Sequence, residues 1–326
     1  MRILVVCSYR DFRPDGINQF IKEQVEAITQ VACDMPSGKC KVESVKSEFY
    51  LVRGKGIAGY IHEIPKLRNA IQQFQPDVIH AHYGLCGLLA NVATRRIPVV
   101  TTYHGSDINK PKPRKFSKVS IRLSAWNIFV SQRTMDIVHG TELKHCSLIP
   151  CGVDMTDDQL QRREEARKVL GWKESDKKVL FAGMFEDIKG PELAKAAIEN
   201  LRLQIADLEL IELKGYTREE VNRLMCAVDC LLMASKSEGS PQVIKEAMAC
   251  GCPIVSTDVG DVSERVAGVE GCFVLHNRDA QEMATAIKKA FAYKGKTRGR
   301  EKVIADGLDN REIARKLLKI YEQVKS

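Results

Sequence analysis

Two glutamates eight residues apart, Glu238 and Glu246, stand in the run Ala234-Ser-Lys-Ser-Glu-Gly-Ser-Pro-Gln-Val-Ile-Lys-Glu-Ala-Met-Ala-Cys-Gly251. Ser240 reads as a helix N-cap, Pro241 as the first helical residue and Gly251 as the stop. A helix starting there leaves the N–H groups of Gln242 and Val243 at a positive dipole end, which suits a phosphate without a metal. Glu238 and Gly239 fall in the loop before the helix, whereas Glu246 falls inside it. A loop carboxylate can reach sugar hydroxyls. A helix carboxylate can hold a ribose diol with both oxygens, as an acidic residue does in nucleotide-binding α/β folds.

A second candidate is Lys189 in Phe181-Ala-Gly-Met-Phe-Glu-Asp-Ile-Lys-Gly190, where a cation lies just before a helix opened by Pro191. A cation beside free N–H groups suits an anion. The third is His104 in Thr101-Thr-Tyr-His-Gly-Ser-Asp107, an apolar run leading into a polar loop. His104 can donate a hydrogen bond to a hydroxyl or phosphate oxygen, and Gly105 lets a ligand approach the backbone. Gly16 lies just before another helix pattern, with the same anion logic. The plainer readings are a surface lysine, a loop-packing histidine and a turn glycine. His80 and His82 share a strand face. Two ring nitrogens could start a zinc site, but no third ligand is suggested nearby, and a buried, hydrogen-bonded histidine is the commoner arrangement. The close cysteine pairs, Cys226/Cys230 and Cys250/Cys252, lack a partner pair or local histidine at zinc spacing.

These residues need elements to hold them. Apolar runs predict strands at residues 3–7, 77–81, 99–102, 127–130 and 147–149, then at 178–182, 208–213, 230–233, 253–256 and 272–275. Amphipathic patterns between them predict helices, the last over 309–324. The alternation implies parallel sheets covered on both faces. The Pro-Cys-Gly break at residues 150–152 and the polar residues 156–158 divide it into two series. The expected architecture is α/β, with two Rossmann-like doubly wound domains facing a cleft: residues 1–152, residues 153–308, and a terminal helix over 309–326 crossing back to the first domain. Ligands of such sheets bind beyond the strands' carboxyl ends.

The chain has 326 residues and a formal net charge of +8. Residues 1–150 carry 21 Lys and Arg against 12 Asp and Glu, whereas residues 151–326 carry 29 against 30. A basic first half suggests an anionic partner. A cluster there, Lys110, Lys112, Arg114, Lys115 and Lys118, is interrupted by Pro111 and Pro113 and reads as an exposed loop that could touch an acidic membrane. No apolar run approaches the length of a membrane-spanning helix. No nucleic-acid module or aromatic stacking run is present, so no nucleic-acid partner is expected. Neither a signal peptide pattern nor a disulfide framework is read, which points to a cytoplasmic chain, peripheral at most to the inner membrane face.

Glu238-x7-Glu246, with the following Ala-Met-Ala-Cys-Gly-Cys-Pro-Ile-Val-Ser-Thr-Asp-Val-Gly260, resembles the nucleotide-sugar signature of glycosyltransferase family four, retaining enzymes of the GT-B fold. His104-Gly105, Ile149-Pro-Cys-Gly-Val-Asp154 and Lys189-Gly190 match the family's pattern in the same order. The resemblance implies that Glu246 holds the nucleotide ribose, Glu238 the donor sugar and Lys189 the diphosphate. It implies His104 at the sugar or its phosphate, and a nucleotide-sugar donor used without cofactor or metal. A saccharide or lipid-linked acceptor would follow, in cell-surface polysaccharide or glycolipid synthesis. The family's usual arginine five residues before the lysine is replaced by Met184. Arg10, Arg13, Arg133 or Lys236 could supply the missing cation. One glycine, Gly16, stands where a pair is frequent, and the stretch between Leu201 and Asp229 is short. Two alternatives share the donor site: a GT-B sugar-nucleotide epimerase or hydrolase, and a non-catalytic nucleotide-sugar-binding partner.

Overall fold

The computed structural model describes residues 1–11, 15–34, 44–138, 140, 143, 145–156, 161–183, 186–205 and 207–325. Met184, Arg13, Asp157 and Asp158 lie outside them. The chain divides into two compact units, Met1–Gly152 with Asn310–Ser326, and Val153–Asp309.

The first unit holds six strands: β1 (Arg2–Ser8), β2 (Lys46–Val52), β3 (Val78–His82), β4 (Val99–Tyr103), β5 (Trp126–Phe129) and β6 (Cys146–Leu148). All pair in parallel, in the order β2-β1-β3-β4-β5-β6. Alternate residues of the central strands meet helices on opposite faces. Ile3, Val5, Val78 and Val100 pack against Gln19–Asp34 and Asn310–Lys325. Leu4, Val6, Ile79 and Val99 pack against Gly56–Phe74 and Gly84–Ala93. This two-sided burial explains why β1 reads as an unbroken apolar run and why β3 and β4 each open on one, at Val78-Ile79 and Val99-Val100.

Two features differ from the sequence reading. Strand β2 was not anticipated, because Lys46-Ser-Glu-Phe-Tyr-Leu-Val52 opens with polar residues and occupies a sheet edge, paired only with β1. The loop expected at residues 110–118 is instead the start of a helix, Pro111–Leu123. Pro111 takes the first helical position and Pro113 stays within the first turn, where no intrahelical N–H bond is needed. Ser117, Ser120 and Ile121 of this helix are buried.

The second unit holds β7 (Lys177–Phe181), β8 (Leu208–Glu212), β9 (Cys230–Met233), β10 (Ile254–Thr257) and β11 (Cys272–Leu275). They too are parallel, in the order β11-β10-β9-β7-β8. Val179, Phe181, Leu232 and Val255 face Pro191–Arg202 and Ala280–Ala292. Leu180, Leu231, Met233 and Ile254 face Arg218–Ala227, Gln242–Ala249 and Gly299–Ala305. Among the described residues, β8 and the helix Arg218–Ala227 are the elements in the short stretch between Leu201 and Asp229.

In each sheet the strand order reverses once, between β1 and β3 and between β7 and β9. The reversal splays the adjacent crossovers to opposite faces and opens a crevice at the strands' carboxyl ends. In the second unit the opposite ends of β7 and β9 are pinned by charge. Asp229 takes Arg167 Nη2 at 3.0 Å, Arg163 Nη2 at 2.9 Å and the Lys178 N–H at 2.8 Å. Arg167 is fully buried and also donates to the carbonyls of Ala227, Lys173 and Asp176. Asp229→Ala would leave that guanidinium buried without its counter-charge. It is expected to cost about 3–5 kcal/mol, read as a lowered urea midpoint. Asp229→Ala unfolding at the wild-type midpoint would contradict the pin.

Candidate functional site

In the first unit, the loops after β1, β3 and β4 meet around His104. The loop after β1 turns at Gly16, whose φ is 74°, and a Cβ there would fall 2.2 Å from the Tyr9 ring. Gly16 also accepts the Arg10 N–H at 2.8 Å. Arg10 lies over the ring of Tyr83, 5.4 Å from its centroid, and so bridges the loops after β1 and β3 at the strand-order reversal. Tyr83 stands at φ 74°, ψ 145°, a conformation that residues with side chains rarely adopt. Such strain persists only where the surroundings hold it, and it concentrates at functional sites. Here the Tyr83 N–H donates to Thr102 at 2.8 Å and its hydroxyl accepts from Asn18 at 3.2 Å.

His104 packs its ring 4.7 Å from Tyr83 and 5.0 Å from Phe20. Its Nε2 meets His82 Nδ1 at 3.0 Å. His82 is fully buried, and its Nε2 has no hydrogen-bond partner. Burial holds His82 neutral, well below the usual imidazole value. An orphaned buried N–H is rarer than an orphaned acceptor. The proton therefore belongs on His82 Nδ1, donated to His104 Nε2, which leaves the His104 proton on Nδ1, facing Cys151 Sγ at 3.8 Å. His80 is not half of a metal pair: its Nε2 meets Thr102 Oγ1 at 2.8 Å and its Nδ1 meets the Tyr321 hydroxyl at 2.7 Å. Among the described residues no three His, Cys, Asp or Glu side chains converge as a metal set.

Asp107 builds the loop that carries His104. One carboxylate oxygen accepts the N–H groups of His104 and Gly105, each at 3.0 Å, and the other accepts the Gly84 N–H at 2.9 Å. Gly105 sits at φ 105°.

In the second unit, Lys189 Nζ donates to Glu238 Oε1 at 2.8 Å. The loops after β7 and β9 therefore meet at the strand-order reversal, joined by two of the residues singled out from the sequence. Ser235 Oγ donates to the same oxygen at 2.9 Å. The approach is close because of Gly190 at φ 66°, where a Cβ would fall 2.2 Å from the Ala234 carbonyl oxygen. Arg278, from the segment after β11, donates to the carbonyls of Ala234 and Ser235 at 3.0 and 2.9 Å.

Glu246 sits on Gln242–Ala249, and its Oε1 accepts from Arg218 Nη1 at 2.6 Å. That helix starts one residue later than the sequence suggested, with Pro241 as its N-cap and no side-chain cap. Ser240 is not the cap. Its Oγ donates to Asp261 Oδ2 at 2.8 Å and accepts from the buried Lys245 Nζ at 3.0 Å. An acceptor held by a buried lysine and carboxylate is a stronger claim on Ser240 than the backbone N–H of the next turn. Gly239 is buried in the same loop, and Gln242 and Val243 form the helix's first turn.

Lys189, Glu238, Gly239, Ser240, Gln242, Val243 and Glu246 thus share the carboxyl edge of the second sheet, while Gly16, His104 and Gly105 share that of the first. Arg218, Arg278, Tyr83 and Asp261 were missed. No spacing rule links Arg218 to a glutamate 28 residues on. Arg278 acts on backbone carbonyls, which carry no residue signature.

Burial pushes the Asp107 carboxyl up to about 6, against the opposing pull of its N–H donors. Its folded value thus exceeds the ordinary 3.8, and the folded chain takes the proton first. Its contribution to stability is largest at low pH and is lost as pH rises from 3.8 through about 6. The wild-type stability minus that of Asp107→Asn, from urea titrations, should fall across that window and level off above it. A difference constant with pH would contradict the assignment.

Residues 24–157 match the family described as Glycosyltransferase Family 4, and residues 163–292 match Glycosyl transferases group 1. A Bacillus subtilis (strain 168) protein provisionally named a teichuronic acid biosynthesis glycosyltransferase is 28% identical over 238 residues, covering 66% of this chain and 61% of that one. A D-inositol 3-phosphate glycosyltransferase of Pseudarthrobacter chlorophenolicus is 24% identical, covering 85% of this chain and 78% of that one. The chain thus spans less than two thirds of the Bacillus relative's length. Among solved structures, sucrose-phosphate synthase of Thermosynechococcus elongatus superposes with a TM-score of 0.80 at 17% identity, over 99% of both chains. Anabaena HepE in complex with UDP superposes with a TM-score of 0.69 at 17% identity, over 99% of this chain and 100% of that one.

Proposed function

The protein is a GT-B-fold chain related to glycosyltransferase family four and the glycosyl transferases group 1, and from that premise we propose that it moves a hexosyl group from a nucleotide-sugar donor to a saccharide or lipid-linked acceptor. The observation that carries this reading is the Lys189–Glu238 pair at the reversal of the second sheet, with Glu246 on the next helix. Relatives named for teichuronic acid and inositol-phosphate glycosylation, and a neighbour crystallised with UDP-glucose, support it.

In this reading Glu246 takes the ribose hydroxyls, oriented by Arg218. Glu238 takes hydroxyls of the donor sugar. Lys189 has three donors, so it can keep Glu238 and still meet the diphosphate. As the glycosidic bond breaks, positive charge develops on the sugar ring and negative charge on the leaving diphosphate. Lys189 and the first turn of Gln242–Ala249 are fixed before that charge forms, so they stabilise it without reorganising. His104 stands at the sugar or its phosphate, and a hydrogen bond there would draw its Nδ1 proton away from Cys151 Sγ, 3.8 Å away. The acceptor attacks from the leaving-group face, with retention, and the departing phosphate takes its proton. No metal is required for these steps. In this reading the reaction belongs to surface polysaccharide or glycolipid synthesis, on the cytoplasmic side, with an acidic membrane surface as a further partner.

Thermal shift with UDP-, GDP-, ADP- and TDP-sugars should show stabilisation by one nucleotide class. Glu246→Ala should weaken that binding ~tenfold or more, with Glu246→Gln milder, because a charged hydrogen-bond acceptor is lost. A folded Glu246→Ala protein that binds donor as the wild type does would remove the ribose assignment. Sugar transfer should persist in excess EDTA. Activity abolished by EDTA and restored by Mg²⁺ would overturn the metal-free reading.

A further inference from the structure

Cysteines gather at the amino edge of the second sheet, opposite the edge that carries Lys189 and Glu238. Cys230 and Cys272 open β9 and β11, and Cys252 stands just before β10. Cys226 lies in the last turn of Arg218–Ala227, and Cys250 caps Gln242–Ala249. Cys226 and Cys250 are buried, at 5% and 4% exposure, in the apolar cluster where these two helices meet the sheet. Their side chains are hydrogen-bonded to each other. The Cys226 sulfur also accepts the Gln161 N–H and lies within reach of the Lys296 charge. Lys296 is an exposed residue whose Nζ donates to the Gln161 carbonyl at 2.8 Å and whose aliphatic chain runs beside Gly251. Among the described residues these thiols build no metal set.

We infer that Cys226 and Cys250 form a reactive dithiol that a hydroperoxide closes to a disulfide. A buried free cysteine is ordinarily a small, inert apolar residue. Cys230, Cys252 and Cys272 fit that description. Burial holds each of these thiols above its ordinary value, and Cys252 donates to the Pro253 carbonyl at 3.3 Å. Cys226 does not fit it. The hydrogen bond from Cys250 holds its thiol below the ordinary value against the effect of burial, and the Gln161 N–H and Lys296 pull the same way. Cys250, the donor of that bond, is held above it. The charge therefore belongs on Cys226 and the shared proton on Cys250, a thiolate beside its resolving thiol. The thiolate attacks one oxygen of hydrogen peroxide, a molecule little larger than water. The O–O bond breaks, hydroxide leaves and takes a proton from solvent, and Cys226 becomes a sulfenic acid. The Cys250 sulfur then attacks the Cys226 sulfur. The S–O bond breaks, and the oxygen leaves as water with the Cys250 proton. Two thiols are oxidised and one peroxide is reduced to two waters. In a reducing compartment such a bond is transient and reports oxidant. The bond also ties together two helices that meet at Arg218 and Glu246. The Cys250 N–H donates to the Glu246 carbonyl at 3.1 Å, so Glu246 lies one turn before the cap. Closing the sulfurs from hydrogen-bond contact to the ~2.05 Å of a disulfide draws the helix ends together and moves Glu246 with them. Weaker nucleotide binding in the oxidised chain follows; that consequence rests on the function proposed above, and the disulfide does not.

Peptide mapping of the full chain after hydrogen peroxide tests the pair. Cys33 is exposed and Cys40 lies outside the described residues, so both are changed to Ser in the chain tested. After treatment the remaining thiols are blocked with N-ethylmaleimide. Mass spectrometry should find Cys226 and Cys250 joined, two hydrogens lighter than the reduced pair, and dithiothreitol should restore both thiols. Cys230, Cys252 and Cys272 should be recovered as maleimide adducts at the same dose. Cys250→Ser should stop the reaction at a Cys226 sulfenic acid, trapped by dimedone, and Cys226→Ser should leave Cys250 a free thiol. The mapping of the intact pair does not depend on either variant folding. Cys226 and Cys250 recovered as free thiols while Cys252 or Cys272 is oxidised would overturn the inference, as would Cys226 joined to any other cysteine. Thermal shift with the four nucleotide-sugar classes is then read on the reduced and oxidised chains. Oxidation should weaken nucleotide binding roughly fivefold or more, the range of a coupling between distant sites. Equal stabilisation of both forms would cut the link from the disulfide to Glu246. A chain that no nucleotide stabilises in either form would count against the donor reading and not against the thiol pair.

Discussion

A parallel sheet cannot be closed by hairpins; each strand must be carried back to its starting edge by a crossover long enough to hold a helix. Every strand pairing described in this protein is parallel. The loops leaving the strands' carboxyl ends therefore collect on one edge of each sheet, along with the first turns of the helices they feed. The returning loops collect on the other edge. That separation lets one edge hold strained backbone, glycines at positive φ and half-buried charge. The other is tied down by interactions such as Asp229 with Arg167. Loss of order at the tied edge would propagate along β7 and β9 to Lys189 and Glu238.

The two carboxyl edges use different physics. In the first unit the site is made of rings. His80 and His82 sit 4.3 Å apart, and His104 stacks on His82 at 5.2 Å, with Tyr83 and Phe20 around it. Burial keeps the lower two histidines neutral, and the charge at this edge is Arg10 over the Tyr83 ring. In the second unit the site is made of ion pairs, Lys189 with Glu238 and Arg218 with Glu246. Ring faces and imidazole nitrogens suit hydroxyls; paired charges suit a nucleotide diphosphate. Ser240, placed between Lys245 and Asp261, extends the charged side into the core.

Buried strands were readable because two-sided burial forces unbroken apolar residues, as in Ile3-Leu-Val-Val-Cys7. The edge strand β2 was not, since an edge tolerates Lys46 and Glu48 and loses its signature. The prolines of Pro111–Leu123 marked a real boundary, but at a helix's opening turn rather than in a loop. Site residues were readable where a residue type and a turn coincide, as at His104-Gly105 and Lys189-Gly190. They were hidden where the partner arrives from another element: Arg218 comes from the helix after β8, Arg278 from beyond β11, and Ser240 is claimed by Asp261 in the loop after β10. Pairings of that kind exist only once the chain is folded, and no local spacing encodes them.

The helix Asn310–Lys325 completes the core of the first unit, with Ile313, Leu317 and Tyr321 buried against β1 and β3. It is synthesised after the whole of Val153–Asp309. On the ribosome, then, the second unit holds all its strands before the first can close. Until the final helix emerges, Ile3, Val5 and Val78 lack part of their cover, and the buried His80 lacks the Tyr321 hydroxyl that satisfies its Nδ1. The second unit needs only Val153–Asp309 to complete its core, whereas the first must wait for Asn310–Lys325, and its exposed apolar strands are open to wrong contacts in that interval.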